Sequence, residues 1–134
     1  MHGICPTATN YVVNAVNCYS SGLLNITNGS EKSGSAILVA GNSSTRTNCY
    51  YLDGVAGTTG IAPRTGETIF YKTSEDENAM TTAKVVQTFN DYIESNPEGV
   101  STVGWCKWVI GENNLPALDF NTEWNGTTWV TTNN

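Results

Sequence analysis

The chain has 134 residues and a formal net charge of −6, and only 13% of its residues are charged. Residues 1–66 carry three basic and two acidic side chains, whereas residues 67–134 carry three basic and ten acidic ones. The length fits one modest domain, and six dispersed basic residues exclude a nucleic-acid interface. Because no run approaches the roughly 20 apolar residues that span a bilayer, the sequence also predicts no membrane insertion.

A short motif occurs twice in the first half of the chain. Asn17-Cys18-Tyr19 returns 31 residues later as Asn48-Cys49-Tyr50, each within a predicted strand, at residues 10–19 and 45–52. Further predicted strands lie between the copies, at residues 23–27 and 35–40. A repeat of this period predicts stacked units with asparagine over asparagine, cysteine over cysteine and tyrosine over tyrosine. The alternative is a chance match in a chain rich in asparagine.

The four cysteines do not have the spacing of a metal site. No two cysteines form a C-x-x-C pair, and His2 is the sole histidine. The cysteines are Cys5, Cys18, Cys49 and Cys106. We therefore predict no metal and no cofactor. Stacking places Cys18 and Cys49 about one strand spacing apart, which favours buried free thiols and allows a disulfide only if the side chains converge.

The middle of the chain predicts a connecting segment followed by a helix. Residues 55–73 are rich in glycine and contain one strand, at residues 67–72. Ser74-Glu75-Asp76-Glu77 has the S-x-x-E form of a capping box, which predicts a helix from Ser74 to about Ser95. An apolar stripe recurs at helical spacing, and we expect it to pack on the domain as a lid over stacked strands. Its members are Ala79, Thr82, Val85, Val86, Phe89, Tyr92 and Ile93.

The last part of the chain is rich in tryptophan. We predict a strand at residues 103–110, an extended segment at 115–118, a tight hairpin around Asn125-Gly126 and a frayed tail at 131–134. Strand alternation places Trp105 and Trp108 on opposite faces. Packing in the core is the favoured role of these rings, and a sugar-binding surface is the alternative. The candidate ligand-binding residues are Trp105, Trp108, Trp124 and Trp129.

These motifs resemble the GLUG-type repeats of bacterial surface proteins. The resemblance covers roughly residues 3–54, and the order of elements from Asn48 to Leu118 resembles the way such arrays end. It implies a mainly β fold, a right-handed parallel β-helix of about two coils at residues 1–54, a connection at 55–73, and a capping helix with a tryptophan-rich β segment at 74–134. It also implies an exported, often adhesive protein without catalytic residues.

The resemblance sets expectations about context. It implies an extracellular or cell-surface location, although residues 1–6 lack the features of a signal peptide. Because a stable stack normally needs three units, we expect a fragment of a longer chain whose upstream coils are partners. The alternative is a short chain that is complete and associates through its open end. A host or environmental glycan or protein is a further possible partner.

Three functions follow as hypotheses. The first is a non-enzymatic structural or adhesive module, and the second is a carbohydrate-binding module that uses the tryptophans. The third is a glycan-cleaving enzyme, which needs two carboxylates facing one groove. With a single terminal histidine, a Ser-His-Asp or Cys-His site is excluded. The carboxylate candidates, by residue type alone, are Asp53, Glu67, Asp119 and Glu123.

Overall fold

The computed structural model describes residues 5–8, 14–22, 38–40, 45–55 and 65–132. The predicted strand at residues 23–27 lies outside these ranges. The chain divides into two compact units, Met1–Tyr71 and Lys72–Asn134. The strands of the first unit are β1 (Cys5–Ala8), β2 (Asn14–Ser20), β3 (Leu38–Ala40), β4 (Thr45–Leu52) and β5 (Glu67–Phe70). They form a parallel pair, β1-β3, and a parallel three-stranded sheet in the order β2-β4-β5.

The two copies of the Asn-Cys-Tyr motif lie side by side in the three-stranded sheet. Cys18 is opposite Cys49 and Tyr19 is opposite Tyr50, so β2 and β4 pair with the 31-residue offset of the repeat. Asn17 and Asn48 both have left-handed backbone angles, with φ of 52° and 53°. Asparagine tolerates this conformation better than most residues. The Asn48 amide donates a 3.0 Å hydrogen bond to the Asn17 side-chain oxygen, which ties the two bends together.

Aromatic side chains form part of the core of the first unit. Phe70 is completely buried, Tyr50 is nearly so, and the ring of Tyr19 meets that of Phe70 edge-on at 6.1 Å. Val55, which follows β4, is also buried. Parallel sheets require such packing because they are normally covered on both faces.

The second unit packs one helix against an antiparallel sheet. It contains α1 (Thr82–Glu94), β6 (Cys106–Ile110), a short 3-10 helix (Glu112–Asn114), β7 (Pro116–Trp124) and β8 (Trp129–Thr131). The sheet order is β6-β7-β8. The side of α1 that faces the protein buries Thr82, Val85, Phe89 and Ile93, as the apolar stripe predicts.

The prediction of a right-handed parallel β-helix is wrong. The residues described here form a mixed α/β structure of small sheets and one helix, without a pattern of β-helix coils. The repeat predicts the pairing of β2 with β4, but the third strand of that sheet, β5, is not a copy of the motif. In the second unit, tight turns join neighbouring strands, and this connection makes them antiparallel.

The predicted start of the helix is also wrong. The helix begins at Thr82 rather than Ser74, although its end at Glu94 agrees with the prediction. The amide of Asp76 donates to the Ser74 hydroxyl, and the amide of Asn78 donates to the Asp76 carboxylate. These bonds between residues two apart form local turns, which compete with helical hydrogen bonding. The Thr82 hydroxyl instead donates to the Asn114 carbonyl at 2.7 Å, which fixes the first turn of α1.

The extended segment predicted at residues 115–118 belongs to a longer strand with a bulge. Cys106 pairs with Glu123 and the next residue, Lys107, pairs with Asp119, so residues 120–122 are extra on β7. The predicted hairpin around Asn125-Gly126 is present as the turn between β7 and β8. Thr131 lies in β8, so the prediction that the tail frays is wrong there; residues 133–134 are outside the described ranges.

One amide side chain joins the helix to the sheet in the second unit. Asn90 on α1 donates to the Trp108 carbonyl and accepts from the Trp108 amide, both at 2.9 Å. We expect Asn90→Ala to lower the free energy of unfolding by about 2–3 kcal/mol, because two hydrogen bonds to one backbone unit are lost. Urea unfolding followed by tryptophan fluorescence measures this, since all four tryptophans lie in this unit. An equal loss in the control Asn121→Ala, at an exposed position, would contradict the expectation.

Candidate functional site

A pair of thiols lies where the two motif copies meet. Cys18 and Cys49 are opposite each other on neighbouring strands, and both are free cysteines. Cys49 is 1% exposed, whereas Cys18 is half-buried. The Cys49 sulfur is 3.5 Å from the Ala15 carbonyl oxygen, and the Cys18 sulfur is 3.3 Å from the Val16 carbonyl oxygen. The thiols therefore differ in solvent access although their strand positions are equivalent.

The two thiols have opposite acid–base behaviour. A hydrogen bond from the Cys49 thiol favours the Cys18 thiolate and lowers the pKa of Cys18 to about 7. The same hydrogen bond raises the pKa of Cys49, and burial, the charge of the Cys18 thiolate and the charge of Glu67 add to this rise. Since the thiolate is the nucleophilic form of cysteine, the lowered pKa favours Cys18 as the more reactive thiol of the pair.

An ion pair lies beside the thiols on the same sheet. Glu67 on β5 is opposite Cys49 on β4, which is itself opposite Cys18 on β2. The three residues form one row across the sheet. The Glu67 side chain is fully buried and accepts a 3.0 Å hydrogen bond from Arg46 of β4. Burial together with the charge of Glu67 also raises the pKa of Tyr51. A carboxylate at this depth needs a cation, because an uncompensated buried charge is strongly destabilising.

The thiol pair predicts a pH dependence of alkylation. In a Cys5→Ser/Cys106→Ser background, the rate of Cys18 alkylation by iodoacetamide is expected to rise with pH and to reach half its plateau near pH 7, because the thiolate forms there. Adding Cys49→Ala removes the hydrogen-bond donor, so the midpoint should rise towards the ordinary cysteine pKa of about 8.5. Quenched-flow mass spectrometry measures both rates. Identical midpoints in the two proteins would contradict this arrangement.

The tryptophans lie around α1 rather than on a shared open surface. Trp105 stacks on Tyr92 of the helix at 6.2 Å, and the ring of Trp108 is 4.7 Å from that of Phe89. Their predicted placement on opposite strand faces does not hold, because β6 begins only at Cys106 and its register shifts directly afterwards. Both rings therefore contact the same helix.

The other two indoles hold the C-terminal end of the helix. The indole nitrogen of Trp124 donates to the Asn96 side chain at 3.0 Å, and that of Trp129 donates to Glu94 at 2.7 Å. Trp124 is buried, the two rings contact each other at 5.2 Å, and the Lys107 ammonium lies 5.7 Å from the Trp129 ring. All four tryptophans thus contact α1 or the residue just beyond its C-cap.

Two of the four candidate carboxylates have identifiable structural contacts. Glu67 is in the ion pair with Arg46. Asp119 accepts hydrogen bonds from the Thr122 hydroxyl and the Asn121 amide, which closes the bulge of β7 and lowers the pKa of Asp119. A glycosidase general acid needs a raised pKa, so Asp119 is unsuited to that role. Asp53 and Asp119 lie in different units.

Sequence reasoning missed Arg46. Arg46 is the only charged residue in the predicted strand at residues 45–52. Because a charged side chain in a half-buried strand requires a partner, this position could have indicated an ion pair. Its partner, Glu67, was singled out only as a possible catalytic acid.

Comparison with known proteins gives no relatives. No family model, curated protein or solved structure matches this chain. Among the described residues, no group of three or more His, Cys, Asp or Glu side chains has the arrangement of a metal site. In the same part of the chain, no helix is long and apolar enough to cross a membrane.

Proposed function

We propose that this chain is a non-enzymatic structural or adhesive module of a bacterial cell-surface or secreted protein, related to the GLUG-type repeats that its motifs resemble. The observation that carries the proposal is the in-register pairing of the two Asn-Cys-Tyr copies. Their asparagine side chains bond to each other across β2 and β4, so these polar groups are used to build the sheet. A polar network of this kind rigidifies the sheet and helps to specify its arrangement, which supports a structural role.

The contacts of other polar groups support the same proposal. Two of the four candidate acids of a glycan-cleaving enzyme have structural contacts, since Glu67 is in an ion pair and Asp119 accepts a hydrogen bond within a bulge. The tryptophans give the carbohydrate-binding alternative no specific support, because each ring contacts another aromatic side chain of the second unit.

The experiment combines a depolymerisation assay with an adhesion assay. Purified protein is incubated with a panel of bacterial, plant and animal polysaccharides, and new reducing ends are measured. Beads carrying the protein are tested for retention on the same glycans and on extracellular-matrix proteins. We expect retention on at least one surface and no new reducing ends. Reducing ends that increase with protein concentration and disappear in Asp119→Asn or Glu123→Gln would overturn the proposal.

A further inference from the structure

We propose that Cys18 and Cys49 form a reversible disulfide that links β2 to β4, with small organic disulfides of the glutathione type as the oxidant. The in-register pairing of parallel strands places the two residues about one strand spacing, roughly 4.8 Å, apart between their Cα atoms. That separation lies within the usual disulfide range of about 4.4–6.8 Å. Because the two residues are direct partners on neighbouring strands, their side chains also lie on the same face of the sheet.

The difference in burial determines which of the two thiols reacts first with the oxidant. Cys18 is half-buried and accessible to a small reagent, whereas Cys49 is almost fully enclosed. In the first step the Cys18 thiolate attacks one sulfur of the oxidant, a new S–S bond forms, and the other half leaves as a thiolate with the bonding electron pair. Cys18 is now a mixed disulfide, and Cys49 is the only thiol beside it on the neighbouring strand.

The second step depends on the change of charge at Cys18. Before the reaction, the hydrogen bond to the Cys18 thiolate and the charge of that thiolate help to keep Cys49 protonated. Both influences disappear when Cys18 is neutral in a mixed disulfide, so the pKa of Cys49 falls. Cys49 then gives its proton to the released thiolate and attacks the Cys18 sulfur, which expels the second half of the oxidant. In sum, two protein thiols lose two electrons and two protons, and one organic disulfide becomes two thiols.

The link is reversed by the opposite exchange. A dithiol reductant attacks the Cys18 sulfur, which is the more accessible one, and returns both cysteines to thiols. While it is present, the disulfide closes a 31-residue loop between the two copies of the repeat. It therefore restricts the unfolded chain and stabilises the sheet. This property goes beyond the proposed structural role and does not depend on the ligand of the module.

The test uses the full chain in its reduced form. The protein is incubated with oxidised glutathione, quenched with N-ethylmaleimide and digested with chymotrypsin, since cleavage after Tyr11 separates Cys5 from Cys18. We expect a disulfide-linked peptide pair that contains Cys18 and Cys49, its loss after dithiothreitol, and a Tm higher by at least about 10 °C when oxidised. In Cys49→Ser, glutathione should remain bound to Cys18, because the resolving thiol is absent.

Three outcomes would overturn the proposal. They are a protein with both thiols intact at saturating oxidant, a wild-type protein that stops at the mixed disulfide, and a link from Cys18 to another cysteine or another chain. The variant Cys5→Ser/Cys106→Ser should lose both of its remaining thiols and stay monomeric. If that variant does not fold, the peptide map of the wild-type protein still decides. A glycan-cleaving activity would overturn the proposed function and leave this result unchanged.

Discussion

Arg46→Ala is expected to lower the free energy of unfolding of the first unit by about 3–5 kcal/mol. The Glu67 side chain is fully buried and its 3.0 Å contact with Arg46 is the ion pair between β4 and β5. Removing the cation leaves a buried carboxylate without this compensation, which is among the most destabilising single changes in a protein. Native-state hydrogen exchange of peptides from β4 and β5 measures the loss, because the first unit contains no tryptophan.

The double variant Arg46→Met/Glu67→Leu is the matched control. It removes both charges and keeps side chains of similar length, so its stability should return to within about 1–2 kcal/mol of the wild type. An exposed basic residue, Lys72→Met, should change stability by less than about 0.5 kcal/mol. If Arg46→Ala cost no more than Lys72→Met, or if the double variant were worse than Arg46→Ala, the ion pair would not hold these strands together.

Asn48→Ala is expected to cost the first unit about 2–3 kcal/mol. Two losses add. Alanine at a φ of 53° is strained by about 1–2 kcal/mol, and the side-chain hydrogen bond from Asn48 to Asn17, which contributes about 1 kcal/mol, is lost. Hydrogen exchange of the β2 and β4 peptides measures the combined effect.

Two further variants at the same position separate these causes. Asn48→Gly accepts the left-handed backbone, so it should cost only about 1 kcal/mol, for the hydrogen bond. Asn48→Asp tolerates the backbone but places a carboxylate against the Asn17 side-chain oxygen, so it should cost more than Asn48→Gly. Equal losses in Asn48→Ala and Asn48→Gly would show that the left-handed conformation is not the source of strain.

The repeat carried reliable information about pairing and misleading information about the fold. The predicted strand at residues 45–52 matches β4, and the 31-residue offset is the register that the structure shows. The sequence repeat predicts which two segments become neighbours, but it does not predict which segment forms the next strand of the sheet. Here that strand is β5, which shares no motif with β2 or β4. The β-helix was therefore an extrapolation from one pair of strands.

The helix and the tryptophans show the limits of local patterns. The apolar stripe identified the buried face of α1, but Ser74 and Asp76 bind nearby backbone amides in turns, so the capping-box pattern did not start a helix. Strand alternation failed at Trp105 because β6 begins one residue later, and a bulge follows at once. Both errors come from hydrogen bonds and register shifts that a periodic pattern does not contain.

The sequence predicts which two cysteines form the candidate site, but it does not predict their exposure or their pKa values. The motif predicted that Cys18 and Cys49 would be neighbours. Their unequal exposure, and the ion pair of Arg46 and Glu67 beside them, depend on how the third strand packs. The opposite pKa shifts of the two thiols come first from the hydrogen bond between them and then from burial, neither of which is encoded in the motif.

The central claim is that the two Asn-Cys-Tyr copies pair in register within one parallel sheet. Nuclear Overhauser contacts in the isotope-labelled, reduced protein test it most directly, because they report strand pairing without any substitution. The structure predicts backbone contacts between residues 31 apart, from the pair Asn14 and Thr45 to the pair Ser20 and Tyr51. Contacts with a different offset, or contacts of an antiparallel pattern between residues 14–20 and 45–51, would contradict it.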